Sequence, residues 1–464
     1  MGNSKQTYLD QYFKISERNS SVRSEFLGGL TTFLTMAYII VVNPAILAFA
    51  GIPQGPSTVA TILTAVFGCL AMGLYANRPL AVAPYMGENA FIAFGLAALG
   101  ISWQLRLGAV FVSGFAFLSM SLLKIRPWLA NSISNSMKHS FAAGIGLFLT
   151  LIGLYETGII ESAVQGMPAK ILLSADGITL GAPPVPLKLG NLHDIKVILA
   201  IIGTVLTATL LARKTKGAIL IGIIATAALG FAFNVGELPK AVFSMPFQGD
   251  LSLAPIFLKL DIASTLKLSF LPILLTLFLM SFLDTLSTIV GVGANCGMVD
   301  EDGNLTDIEK PMIVDACSCI LSALIGSSTS GAFIESAAGI REGARTGLAS
   351  VFTALFFAAT LFCIPLLAPL QHLKYAYGPA LICVGLLMLN SLRKIDVDDL
   401  TEAFPSFATI AMMIFTYSIA NGLTAGLVLY AAIKSLAGRG KEVSLGAWIL
   451  ACMCMLYFVF GLPH

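Results

Sequence analysis

Charge is scarce in this chain. Only 11% of its 464 residues are Asp, Glu, Lys or Arg, less than half the roughly 25% of an average soluble domain. Hydrophobic residues make up 57%, and the mean hydropathy is +0.87, values that exclude a soluble globular protein. The 27 basic and 25 acidic side chains nearly cancel, to +2, so no global field recommends nucleic acid as a partner and each charge matters by its position. Histidine is scarcer still: residues 139, 193, 372 and 464 are the 4 present, all expected in loops or at the terminus. Neither C-x-C pair among the 8 cysteines has metal-ligand spacing, so no metal centre or cofactor is indicated; in apolar stretches Cys is a small, lipid-compatible residue. Residues 1–25 hold four basic and three acidic residues and no apolar run, which argues against a cleavable signal.

What the chain has in abundance is apolar stretches of about 20 residues, the length of a bilayer crossing. Candidates lie near 26–50, 57–76, 79–98, 107–123, 140–160, 195–212 and 217–236, and then near 268–293, 311–326, 327–343, 347–368, 376–391, 404–420, 421–436 and 445–461. The expected fold is therefore an all-α polytopic membrane protein of about fourteen segments. The last part is ambiguous, since 404–436 reads as two short crossings or one broken one. Segments 127–139 and 250–267 are too polar to cross and read as interfacial or loop, and the 161–194 loop with its "GAPPVP" reads as irregular. With the N-terminus in the cytoplasm, "KIRPW", "RKTK", "REGAR", "LRK" and "KSLAGRGK" all fall on the side where Lys and Arg are retained.

Seven candidates precede residue 240 and about seven follow it. An odd-numbered unit repeated once re-enters the membrane from the opposite side, so the second copy is inverted. Both copies have an interrupted third span: 79–98 with "PYMGENAF" and 327–343 with "SSTSGAFIESAAG". Pro84 and Gly87 in the one, and Gly326 and Gly331 in the other, disfavour continuous helix, so each should hold an extended piece leading into a half-helix. Matching broken spans point to a substrate site near the bilayer midplane.

Acids are rare inside these spans. Each costs about 2.5–3.5 kcal/mol at a helix centre, so one without a task is disfavoured there. Asp284 in "MSFLDTLSTIVGVG" and Glu335 on the second broken span are the foremost candidates for substrate binding and proton coupling. Asp315 lies nearer a cytoplasmic end, where a helix cap or a pair with Lys310 competes with a proton role. Glu88 stands beside Asn89; only one of two neighbours on a helix points a given way, so Glu88 lines the site or faces a vestibule instead. Ser330 and Thr288 are secondary candidates. Two carboxylates and the Asn89 amide suit a neutral heterocycle bearing N–H donors and ring acceptors, and suit an anion poorly. Tyr38, Phe91 and Phe333 offer flat faces, with ordinary helix packing as the plainer reading of each. Thr35, on a face with Thr31 and Thr32, either lines the pocket or bonds its own backbone.

The runs "GGLTTFLTMAYIIVVNP", "APYMGENAF", "FLDTLSTIVGV" and "AFIESAAGIREGARTGL" resemble the adenine/guanine/hypoxanthine permease branch of the nucleobase/cation symporter family, related to xanthine and uracil permeases. The resemblance extends from about Phe13 to Leu436. It implies fourteen spans in two inverted seven-span repeats, with short strands in spans 3 and 10. It further implies a core of spans 1–4 (26–124) and 8–11 (268–368) and a gate of spans 5–7 (125–240) and 12–14 (376–464, with a C-terminal apolar segment), preceded by the segment 1–25 that the Lys and Arg distribution places in the cytoplasm. Asn89, Asp284 and Glu335 match the family's purine-binding and proton-coupling positions, and Phe333 and Thr35 join them as candidate contacts. The chain departs from the pattern at Glu88, where relatives carry an apolar residue or Pro, and at Ser287, often Gly. The implied activity is proton-driven import of a purine nucleobase across the cell (inner) membrane by alternating access, with the proton as coupling ion and a homodimer as a possible assembly. A transporter of xanthine, uracil or a small anion on the same fold is the alternative; an intramembrane hydrolase is disfavoured because there is no paired Asp or G-x-G-D pattern.

Overall fold

The computed structural model describes residues 8–98, 100–123, 132–165, 186–239, 241–267, 270–293 and 308–460. Residues 127–131 of the expected interfacial segment, most of "GAPPVP", Cys296 and His464 lie outside them. Eight helices among the described residues are long and apolar enough to cross a membrane, and shorter or broken elements complete the series.

Span 1 runs Val22–Met36 and, after a break at Ala37 and Tyr38, Ile39–Phe49. Spans 2, 4, 5, 6 and 7 are Gln54–Leu74, Trp103–Leu122, Asn135–Glu156, Ile195–Ala212 and Ala218–Ala232. Spans 8 and 9 are Leu271–Gly293 and Glu309–Leu324. Span 11 begins as Gly347–Thr360, and span 12 is Lys374–Met388. The short strands are β1 (Val82–Pro84), β2 (Ile160–Ser162), β3 (Leu187–Leu189) and β4 (Ser330–Ala332). Span 3 is β1 followed by Met86–Ala90 and a π-helical turn, Phe91–Gly95; span 10 is β4 followed by Ser336–Arg341. Both broken spans thus have the extended piece and half-helix that their Pro and Gly residues predict, and the π turn is an addition that no breaker residue announces.

One expectation needs correction, and one open choice is decided. Segment 127–139 is not wholly a loop: the Ser134 side chain accepts from Met137 N at 3.2 Å, capping a helix that starts at Asn135. His139 and Lys138 therefore sit in the first turns of span 5. At the other end, 404–436 is two helices, Leu400–Phe415 (span 13) and Ile419–Lys434 (span 14). Tyr417 has φ 52° there, and the Ser418 side chain accepts from Asn421 N. A further apolar helix, Leu445–Phe460, follows.

The helices pack in two groups. In one, span 2 lies on span 11, span 4 on spans 8 and 9, and span 1 on spans 10 and 11; in the other, span 5 lies on spans 12 and 13, span 6 on spans 7 and 12, and span 13 on span 14. Close approach within the first group depends on glycine: a Cβ at Gly339 of span 10 would meet the Gly28 carbonyl and the Thr32 hydroxyl of span 1. β1 pairs with β4 antiparallel, Val82 with Ala332, Ala83 with Gly331 and Pro84 with Ser330. Matching elements of opposite direction, seven spans apart, make two inverted seven-span repeats. Glu25, fully buried in span 1, accepts from the backbone N–H groups of Arg345, Thr346 and Ala349 at 2.9–3.3 Å. A carboxylate is thereby placed on the first turn of span 11, where a helix presents unpaired N–H groups.

Candidate functional site: a carboxylate-lined crossing of two broken spans

A three-residue strand in a membrane leaves backbone groups that only another chain segment can satisfy. Here the two broken spans satisfy each other. Besides the ladder, Tyr85 N donates to Thr329 O at 3.0 Å and Phe333 N to Ala81 O at 2.8 Å. The residues that leave the crossing are thereby fixed, and they include most of those singled out in the sequence.

Glu335 begins the half-helix after β4 and is half-buried. The Tyr38 hydroxyl donates to its Oε1 at 2.9 Å, and the break in span 1 falls at Tyr38. Asp284, on span 8, is within electrostatic reach of Glu335. It borders a narrow cavity of about 20 Å³ lined also by Met280 of the same span, by Lys138, Phe141 and Ile145 of span 5 and by Met413 of span 13, so that it faces the seam between the two helix groups. That volume holds about one water, and a larger ligand requires the groups to part. The Tyr85 and Phe333 rings lie with centroids 6.2 Å apart and planes within 10°. Thr288 is buried one turn beyond Asp284.

Other candidates sit differently. Asn89 is 0% exposed; its Nδ2 donates to Asn43 Oδ1 and its Oδ1 accepts from Ser328 Oγ. Asn43 in turn donates to Thr61 Oγ1 at 2.7 Å. The amide thus clasps the half-helix to spans 1, 2 and 10, with one N–H and one lone pair left over. The Thr35 hydroxyl donates to Thr31 O and Thr32 O at 3.0 and 2.8 Å, the backbone alternative. Ser330 Oγ donates to Ser318 Oγ of span 9 at 2.9 Å. Asp315 is not at a helix end and does not pair with Lys310: it is fully buried in mid-helix and accepts from Thr285 Oγ1. Glu88 is 1% exposed and accepts from Ser281 Oγ at 2.8 Å. Phe91 packs in the core, 1% exposed. The side chain of Ser287 lies outside the described residues.

Sequence reasoning passed over Tyr85, Thr285, Asn43 and Lys138. Asn43 carried a signal, an amide inside an apolar run; Thr285 carried none, since Thr hydroxyls in membrane helices ordinarily bond their own backbone, and Tyr85 reads from sequence as one more packing aromatic. Arg106 was passed over too. Its guanidinium, buried in span 4, donates to Ile92 O and Ala50 O, both at 2.9 Å, satisfying carbonyls freed by the π turn of span 3 and the end of span 1.

Comparison with known proteins agrees with this architecture. The model of the Permease family matches residues 23–424. The adenine permease AdeP of Escherichia coli (strain K12) is 34% identical over 460 residues, covering 99% of this chain and 98% of its own. The guanine/hypoxanthine permease PbuG of Bacillus subtilis (strain 168) is 36% identical over 465 residues, covering 97% of this chain and 100% of its own. Among solved structures, the transmembrane domain of the cyanobacterial bicarbonate transporter BicA superposes with a TM-score of 0.61 at 16% identity, covering 87% of this chain and 97% of that one; it shares the fold of inverted repeats with core and gate. Apolar helices, the crossing of broken spans and the extent of these alignments lead to one conclusion: the chain is a multi-pass membrane transporter, not an enzyme, and belongs to the Permease family, among whose members are permeases for nucleobases.

Proposed function

We propose that this protein imports purine nucleobases together with protons across the cell (inner) membrane, with its N-terminus in the cytoplasm. The observation that carries the reading is the position of Asp284, a carboxyl bordering the cavity between the two helix groups with Glu335 in electrostatic reach. Carboxylates accept from the N–H groups of a flat heterocycle, and the parallel Tyr85 and Phe333 rings supply apolar faces for its plane. Lys138, which lines the same cavity, is matched there by the Asp284 carboxyl, so the cavity offers an anion no excess of positive charge. The names of the relatives, an adenine and a guanine/hypoxanthine permease, favour a purine over a pyrimidine.

In this reading spans 1–4 and 8–11 form the core, spans 5–7 and 12–14 form the gate, and the core moves against the gate to open the cavity to either side in turn. Asp284 and Glu335 hold the base, and one of them carries the proton. One proton moving inward through about 100 mV yields about 2.3 kcal/mol, enough for roughly fiftyfold accumulation of a neutral base.

The test is uptake of radiolabelled adenine, guanine, hypoxanthine, xanthine and uracil by cells lacking their own permeases. Expected is uptake of one or more of the purines, lost on Asp284→Ala or Glu335→Ala and abolished by an uncoupler. Wild-type uptake by either variant, indifference to the uncoupler, or preference for uracil refutes the proposal.

A further inference from the structure

Beside the crossing lie two carboxyls that the proposed site does not use. Neither Glu88 nor Asp315 borders the cavity at Asp284, and both are buried, 1% and 0% exposed. One oxygen of each is bonded, Glu88 Oε2 to Ser281 Oγ at 2.8 Å and Asp315 Oδ2 to Thr285 Oγ1. The other oxygens, Glu88 Oε1 and Asp315 Oδ1, make no hydrogen bond of good geometry among the described residues, although the Thr329 hydroxyl lies against Glu88 and the Ala332 N–H and Tyr85 hydroxyl lie against Asp315. The titratable groups facing the pair are Tyr85 of span 3, Asp284 of span 8 and Cys319 of span 9. None is basic, and neither carboxyl makes an ion pair among the described residues.

A buried carboxylate without a cation costs several kcal/mol, and a second one nearby adds repulsion. A proton removes both costs and turns an unsatisfied acceptor into a donor. The surroundings suit this, because every side chain bonded to the pair is a hydroxyl, able to donate to a carboxylate or accept from a carboxylic acid. One such chain leads out. Thr285 Oγ1, which bonds Asp315, lies 2.9 Å from the Tyr85 hydroxyl, and Tyr85 is within electrostatic reach of Asp284.

We propose that Glu88 and Asp315 form a second proton-carrying pair, in exchange with Asp284 through the hydroxyls of Tyr85 and Thr285. This deepens the proton-symport reading and rests on it. In one transfer Asp284 gives its proton to the Tyr85 oxygen, Tyr85 gives its own to Thr285 Oγ1, and Thr285 gives its own to Asp315 Oδ2. Asp284 ends as carboxylate, Asp315 as carboxylic acid, and both hydroxyls are regenerated. Glu88 restricts the charge state of Asp315, since two anions so placed repel.

The experiment uses the full-length protein in proteoliposomes with radiolabelled adenine and hypoxanthine, comparing exchange without a gradient to accumulation driven by acid outside. Expected for Glu88→Gln and Asp315→Asn is exchange within about twofold of wild type, with acid-driven accumulation reduced at least fivefold and the pH profile of exchange flattened. Thr285→Val, which cuts the chain and leaves both carboxyls, shows the same split, and Glu88→Asp restores accumulation in part. Wild-type accumulation by Glu88→Gln and Thr285→Val overturns the second pair and leaves the symport reading standing. Equal loss of exchange and accumulation in Thr285→Val makes the role structural and overturns it too. Wild-type protein that exchanges base but ignores the pH gradient refutes the symport reading itself, and the pair with it.

Discussion

One added methyl group at Gly331 reports on how tightly the crossing is built. Gly331 sits in the middle of β4, opposite Ala83, in a backbone conformation open to alanine; only space forbids the substitution. A Cβ there would meet Cε2, Cζ and Oη of Tyr85 together, closer than real carbon atoms approach. The ring has nowhere simple to go, being 4% exposed and stacked on Phe333. Forcing it aside carries the usual cost of an overpacked core, about 1–3 kcal/mol. Loss of its bond to Thr285 adds about 0.5–1.5 kcal/mol. Together Gly331→Ala should destabilise by about 1.5–4.5 kcal/mol, which at about 2.1 cal/mol/K per residue lowers the thermal midpoint of the detergent-solubilised 464-residue protein by about 1.5–4.5 °C and lowers uptake. The control is the double variant Gly331→Ala/Tyr85→Leu. If the clash is with the ring, the second substitution recovers part of the midpoint while uptake stays low, a coupling that a double-mutant cycle measures directly. A wild-type midpoint and uptake rate in Gly331→Ala would refute the close contact and the site built on it.

Other outcomes follow from the same contacts. Tyr38→Phe removes the hydroxyl that holds Glu335, a bond to a charged acceptor worth about 1.5–3 kcal/mol; KM for the transported base should rise at least about tenfold with little change in expression, measured by initial-rate uptake. Asn43→Leu strips Asn89 Nδ2 of its acceptor and should cost about 1–3 kcal/mol, seen as a lower thermal midpoint with base selectivity unchanged. At the cytoplasmic side of the proposed topology, the Thr401 hydroxyl and N–H, with Arg439, hold the Asp399 carboxyl down at about 2. Because this lies below the ordinary value of about 3.9, the stabilisation is complete above pH about 4 and lost as pH falls through about 2. Asp399→Asn should flatten the acid limb of the stability profile in that window, read by thermal unfolding across pH.

Much of this was legible in the sequence because lipid imposes blunt rules. Runs of apolar residues marked the spans, and Pro84, Gly326 and Gly331 marked the places where helix gives way, whereas Gly87 lies inside the half-helix Met86–Ala90. Acids inside those runs marked Asp284 and Glu335, since placing them there has a cost that fold alone does not repay. What the chain concealed was pairing. The nearest helix breaker, Pro44, lies inside the second half of span 1 and not at its joint, so the break at Tyr38 and the reach of that hydroxyl to Glu335, 297 residues away, were invisible. Asp315 looked terminal because Lys310 and Glu309 precede it, yet its partner is Thr285 on another span. Lys138 looked like loop because it follows "NSISNS", and the Ser134 cap, a single side chain, turns that polar run into the start of a helix reaching the cavity.

The backbone knot between β1 and β4 limits how the machine can move. Sliding span 3 past span 10 would strip amides and carbonyls of their mates at a depth where water is absent to replace them. In the proposed alternation, whatever opens Asp284 to one face of the membrane and then the other must therefore transport the knot whole, as cargo, and the moving joints must lie elsewhere along the chain.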